Sequence, residues 1–191
     1  MLDKSIPYHE IWMTRLKNEP VPSVRLPEGF RFSYYQKGDM SEWAAIEASV
    51  LEFDNAEEGL AYFEQAFAPF EEELAHQMLF IEDEAGRKVA TCTAWWKDVD
   101  GQRLPLFHWL AVKPEAQRRG LAGALVSKAT ALLQELEPGK DIYLHTQTWS
   151  YEAIRLYERF GYQLIAENIN GSKNESYQKA MEIIEAQNQR E

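Results

Sequence analysis

The stretch Leu106–Gly123, LFHWLAVKPEAQRRGLAG, constrains the chain most: an apolar run ends at Pro114, a basic turn with glycine follows, and a helical pattern begins. This reads as a strand running into a turn at a helix N-terminus, where unpaired backbone N–H groups and the helix dipole favour an anion. Gly120 and Gly123, with Ala122 between them, let a backbone come close to a bulky ligand such as a pyrophosphate. The turn Gln117-Arg118-Arg119-Gly120-Leu121-Ala122-Gly123 lacks the Gly-Lys-Ser/Thr ending of a P-loop. It is not the GxGxxG of dinucleotide sites either, and fits Gln/Arg-x-x-Gly-x-Gly/Ala.

Composition narrows what that turn can serve. At 191 residues the chain has the length of one ordinary domain, expected over 1–191. A formal charge of −11 argues against a nucleic-acid partner, since Arg118-Arg119 is the only dense basic cluster. The single Cys92 has no partner for a disulfide and sits in an apolar run as a small hydrophobe. No Cys/His spacing of metal type occurs, so no metal is expected and a reducing cytoplasm is the natural compartment. The N-terminus lacks the apolar core of a signal peptide, and no apolar run has the length of a membrane span, so no membrane partner is expected.

Residues 1–29 read as a short strand or arm followed by a proline-rich link (Pro20, Pro22, Pro27), and Phe30–Gln36 as a strand. Asp39 with Glu42, and Asp54 with Glu57, carry helix-start signatures. They predict one helix over 40–50 and a second carrying Leu60, Phe63, Phe67 and Phe70, which runs to just past Pro69. Strands follow at 78–81, 89–96 and into Leu106, the last two joined by a hairpin at Asp98-Val99-Asp100-Gly101. Then come a helix over 121–137 stopped by Pro138-Gly139, a strand over 142–149, a helix over 150–160 and a strand over 162–166. A polar hairpin loop, 168–175, leads to an expected last strand near 177–183. The sum is an α+β (α/β sandwich) fold: a mixed, mostly antiparallel central sheet of about six to seven strands flanked by about four helices.

The turn at 117–123, the LAVKPEAQ before it and AIRLYERFGY at 153–162 together resemble the acetyl-CoA-binding core of the GNAT superfamily of N-acetyltransferases. The likeness spans about 77–183, and the two upstream helices match the family's layout. It implies acetyl-CoA as co-substrate and a primary amine as acceptor, on a small amine or an amino-acid-like molecule, with polyamine, amino acid, aminoglycoside-like antibiotic and protein N-terminus left undistinguished by the sequence. The backbone of Gln117, Arg118, Arg119, Gly120, Leu121, Ala122 and Gly123 would hold the pyrophosphate, with arginine charge added. The main chain of Leu110, Ala111 and Val112 would pair with the pantetheine arm in a splay between two strands. Tyr157, with Ala153 one turn earlier, would stand near the thioester sulfur and protonate the departing thiolate. Ser150 occupies a position where many relatives carry Asn, and is open between a cofactor contact and a helix cap.

His108 shares strand alternation with Leu106, Leu110 and Val112 and is the candidate base, with His145 a second and Leu106 unable to fill that role. A hydrogen-bonded, half-buried histidine is the plainer reading of both. Glu47 and Glu52 read as solvated. The aromatics Trp43, Phe53, Tyr62, Phe63, Phe67, Trp95, Trp96, Trp109 and Trp149 read mostly as core, with some lining an acceptor pocket. A non-catalytic acyl-CoA-binding module on the same fold is the rival to an enzyme. Apolar surface near the final strands leaves room for a homodimer.

Overall fold

Seven strands, the central β3 and β4 carrying continuous buried runs, join one sheet in the computed structural model, which describes residues 2–189. Positions 1, 190 and 191, part of the expected 1–191 domain, lie outside the described residues. In chain order the strands are β1 Glu10–Arg15, β2 Arg31–Tyr34, β3 Met78–Glu82, β4 Lys88–Val99, β5 Gln102–Val112, β6 Ile142–Gln147 and β7 Gln163–Ile165. The helices are α1 Met40–Ser49, α2 Ala56–Ala66, α3 Glu71–Gln77, α4 Leu121–Leu136, α5 Tyr151–Arg159 and α6 Tyr177–Asn188. The sheet order is β2-β3-β4-β5-β6-β1-β7, antiparallel throughout except for the parallel pair β5–β6.

Each face of the sheet has its own core. On one side Leu125, Val126 and Ala129 of α4, Ile154 and Tyr157 of α5, and Ile184 of α6 pack on Ile11, Cys92, Phe107 and Leu144. On the other, Trp43 and Ile46 of α1, Phe63 of α2 and Leu74 of α3 pack on Met78, Phe80 and Ala111. The proline-rich link runs along α4, where Ser127 donates to the Pro22 carbonyl (2.8 Å) and Gln134 to that of Glu19 (2.9 Å).

Three expectations change. The segment expected as a last strand near 177–183 is α6, because Ala180, Met181 and Ile184 recur at helical spacing and pack on the core. The strand slot beside β6 is taken instead by β1, with Met13 opposite Leu144 on one side and Leu164 on the other. The expected loop at 168–175 is present as a tight turn closed by Glu167 and Lys173. Second, the chain beyond Pro69 re-enters helix as α3, held by buried Leu74, so six α-helices flank the sheet among the described residues.

Third, the cap signatures work differently. Asp39 stands before α1 but accepts the Gln36 N–H (2.8 Å) and pairs with Lys88 instead of capping the helix. At α2 the cap shifts by one residue: Asn55 accepts the Glu58 N–H (3.0 Å), while Glu58 accepts that of Asp54 (3.3 Å).

Candidate active site

The site is made by an irregularity in β5. Thr93 pairs with His108 and Thr91 with Ala111, so Trp109 and Leu110 together oppose Cys92, and Trp109 takes a left-handed φ of +51°. A tryptophan in that conformation marks a bulge held by its surroundings. The bulge breaks the expected alternation. His108 and Trp109 both turn to the α1–α3 face, His108 beside Phe67 and Trp109 against Trp43, Phe53 and Tyr62, whereas Leu110 and Val112 pack with the α4 core.

Beyond the bulge β5 and β6 part. They pair only at Leu106–Tyr143 and Phe107–Leu144, so from His108 to Val112 the edge of β5 turned toward β6 has no strand partner among the described residues. The expected docking edge at Leu110, Ala111 and Val112 is therefore open on that side, and β4 holds the other side. Gln117 donates its side-chain amide to the Val112 carbonyl (2.9 Å), tying the turn back to the strand end.

Gly120 sits before α4 at φ +83°, a conformation glycine adopts without strain, and no side chain caps the helix. Ala124 donates to the Gly120 carbonyl, so the backbone N–H groups of Leu121, Ala122 and Gly123 are the free donors of the first turn. Arg118 and Arg119 are exposed beside it, while the Leu121 side chain is buried in the α4 core. A Cβ on Gly120 would meet only Pro27 Cγ at 4.0 Å. The turn has the room and the donors for an anion.

Tyr157 is 7% exposed and packs against Phe107 and Tyr162 (ring centroids 5.8 and 6.2 Å). Burial, reinforced by Tyr162, pushes its ionisation further above the ordinary phenol range, so it keeps its proton. Ala153 is half-buried on the same core. Ser150 stands at the cap position of α5 but makes no cap bond. Its neighbour Thr148 carries the local network, donating to the Pro7 carbonyl (2.6 Å) and accepting from the His9 N–H (3.0 Å).

His108 and His145 share one cavity of about 710 Å³, walled by Trp12, Trp95 and Trp96. Its acidic groups are Glu10, Asp98 and Asp100, against Lys97, and Asn168 and Asn170 close it from the 168–175 loop. Burial, with His145 and Lys97 adding repulsion, lowers the His108 pKa to about 3. Its imidazole is therefore held in the neutral form, the form in which it can accept a proton or a hydrogen bond. His145 is lowered by burial, opposed by Glu10 at 3.9 Å.

Glu47, expected in solvent, is 1% exposed, and its Oε1 has no hydrogen-bond partner. Burial, then the nearby Glu52, raises its pKa well above the ordinary carboxylate value. Glu52, half-buried, is also raised by burial, with Gln147 and Lys4 opposing. The signal was in the sequence: Trp43, Ile46 and Val50 form the inward stripe of α1, and Glu47 follows Trp43 by four residues. Cys92 is buried with its thiol pKa raised, as a small hydrophobe should be. Among the described residues no group of three or more His, Cys, Asp or Glu gathers as a metal site.

Comparison with known proteins agrees with this architecture. A chloroplastic GCN5-related N-acetyltransferase 5 of Arabidopsis thaliana is 29% identical over 56 residues, 29% of this chain and 18% of that one. The solved GCN5-related N-acetyltransferase from Sphaerobacter thermophilus superposes with a TM-score of 0.60 at 22% identity, covering 84% of this chain and 50% of that one. The aminoglycoside antibiotic 6'-N-acetyltransferase of Acinetobacter baumannii gives 0.54 at 16% identity, covering 74% of this chain and 95% of that one. The chain thus spans about half the length of the Sphaerobacter protein and a small part of the Arabidopsis one. The Acetyltransferase (GNAT) family profile matches residues 40–162, well over half of the chain and the whole run from α1 to the end of α5, and the protein belongs to that family.

Proposed function

We propose that the protein moves an acetyl group from acetyl-CoA to a primary amine of a small molecule by direct attack. The observation that carries this reading is the gap between β5 and β6 beyond Phe107, with the uncapped start of α4 following β5 and protonated Tyr157 packed on Phe107, where the gap begins. Pyrophosphate oxygens would take the N–H groups of Leu121–Gly123, with Arg118 and Arg119 adding charge. The pantetheine amides would pair along Leu110–Ala111 as an added strand. Tyr157 would give its proton to the leaving sulfur.

A route through an acyl-cysteine is disfavoured, because Cys92 is buried among the α4 contacts with its thiolate suppressed. Solved neighbours named as N-acetyltransferases support nitrogen as the acceptor. The cavity beside His108, with three tryptophans and an excess of acidic groups, suits an amine carrying an apolar or ring-bearing body.

Calorimetry tests the donor. Wild type is expected to bind CoA in the micromolar range, and Gly120→Glu to abolish binding, since it sets a carboxylate against the phosphate and strains a left-handed position. A wild-type protein that binds no CoA defeats the reading.

A further inference from the structure

The layer beneath α1 holds polar atoms that the packing leaves unanswered. Glu47 Oε1, Trp43 Nε1 and Thr93 Oγ1 are all buried without a hydrogen-bond partner. Trp43 and Glu47 are one turn apart on α1, and Thr93 stands opposite His108 at the bulge. A carboxyl oxygen buried with no donor to its lone pairs costs folding free energy, on the order of 1–3 kcal/mol for an unmade hydrogen bond alone. A group of donor chemistry that arrives from outside would answer it, and an ammonium is such a group.

Helix α1 crosses from the bulge to the end of β6: Trp43 packs edge-on against Trp109 (ring centroids 5.1 Å), and Val50, just past the helix, accepts the N–H of Leu2, whose neighbour Asp3 donates to the Trp149 carbonyl (3.0 Å). Glu47 lies between those two points, over the stretch where β5 and β6 have parted, and α5 with Tyr157 covers the opposite face of the sheet. Glu52 stands beside Glu47 and reaches Gln147, the last residue of β6, with Lys4 near it. The imidazoles make a separate group: His108 feels His145 and Lys97.

We infer that Glu47 is the proton acceptor for the attacking amine, receiving the acceptor's ammonium at Oε1 across the β5–β6 gap from Tyr157. The inference rests on the acetyl-transfer reading above and deepens it by requiring an acceptor that arrives as a cation. The burial-raised affinity of Glu47 for a proton is what such a role needs: the cation stabilises the carboxylate, which then holds the proton it takes. The ammonium gives one proton to Glu47. The freed nitrogen lone pair forms the N–C bond to the thioester carbonyl carbon, the C–S bond breaks, and the Tyr157 proton goes to sulfur. The second nitrogen proton restores the Tyr157 hydroxyl, and Glu47 releases its proton past Glu52 to solvent. The sum is ammonium and thioester giving amide, thiol and one proton.

Thiol release from acetyl-CoA separates this role from a structural one when two kinds of nucleophile are compared. Spermidine, tyramine and glucosamine are ammonium ions at neutral pH, whereas hydroxylamine is already unprotonated. For Glu47→Gln, acetyl-CoA affinity by calorimetry should stay within ~3-fold, turnover of the best ammonium probe should fall ~100-fold, and hydroxylamine turnover should stay within ~3-fold. Equal loss with both kinds, loss with neither, or a wild type that acetylates hydroxylamine but none of the ammonium probes overturns the assignment to Glu47 and leaves acetyl transfer standing. A wild type that binds no acetyl-CoA removes both.

Discussion

Two buried acids on opposite sides of the sheet make opposite predictions about stability and rate. Tyr157 keeps its proton through burial, so Tyr157→Phe removes only the donor, and ring packing against Phe107 and Tyr162 survives. Turnover should drop ~100-fold or more with acetyl-CoA affinity nearly unchanged, and steady-state rates beside calorimetry would show it. Unchanged turnover would end the general-acid role. Glu47 has a raised folded-state pKa, which gives a stability that depends on pH in a definite sense. Below the ordinary carboxylate range, folded and unfolded chains both hold the proton and there is no penalty. As pH rises, the unfolded state releases the proton first, so stability falls until the folded pKa is passed and stays lowered above it. Glu47→Gln should therefore raise stability by ~1–3 kcal/mol at pH 8 and by little at pH 4, in urea melts at both. A residue that weakens the fold yet is needed for rate is the signature expected of a functional group. Equal effects at both pH values would mean that the carboxyl is not desolvated.

At the scale of elements, the α1–α2 pair is what brings Glu47, Phe53 and Tyr62 over the bulge, and its spacing depends on Gly59. A Cβ there would stand 3.1 Å from Ala44 Cβ, 3.2 Å from Ala44 Cα and 3.3 Å from Phe53 Cδ2. Gly59→Ala gains about 1 kcal/mol of helix propensity but must push the helices apart, at about 1–3 kcal/mol. The clash is with backbone and with a ring stacked on Trp109, so the strain term should win. The expected result is a melting temperature a few degrees lower with a weakened acceptor KM and unaltered CoA affinity. Elements of this kind were largely legible from sequence, because the glycine turn, α4, α5 and the β4–β5 hairpin carry local punctuation. The Trp109 bulge was not, since a run such as LFHWLAV alternates on paper whether or not one residue is extra. That one residue decides that Leu110 and Val112 face away from His108. Nor was α6 legible as a helix where Ile183 and Ile184 supply strand-like residues; its period shows only once Ala180, Met181 and Ile184 are set against the core.

For the whole molecule, the unforeseen feature is where the segment read as a short strand or arm goes: as β1 it completes the sheet between β6 and β7. Ile11 and Met13 are wholly buried, and Arg15, also buried, donates to the carbonyls of Phe160 (2.8 Å), Glu19 (3.1 Å) and Pro20 (2.9 Å). Nothing local in EIWMTR announces that its partners are β6 and β7, more than a hundred residues away. Those contacts close very long loops, so they are expected to form late in folding and to act mainly by slowing unfolding. Met13→Ala should lose ~2–4 kcal/mol, expressed chiefly as faster unfolding in stopped-flow denaturant jumps. Removal of residues 1–17 is the sharper test. It leaves β6 and β7 with unpaired inner edges and uncovers Leu144 and Leu164, which face Met13. The shortened chain should lose its cooperative thermal transition and self-associate, as followed by circular dichroism and light scattering. A shortened chain that melts like the full one would show that β1 only borders the fold; a shortened chain that fails to fold places the support of Gln147, and so the β6 wall of the reaction gap, in the first seventeen residues.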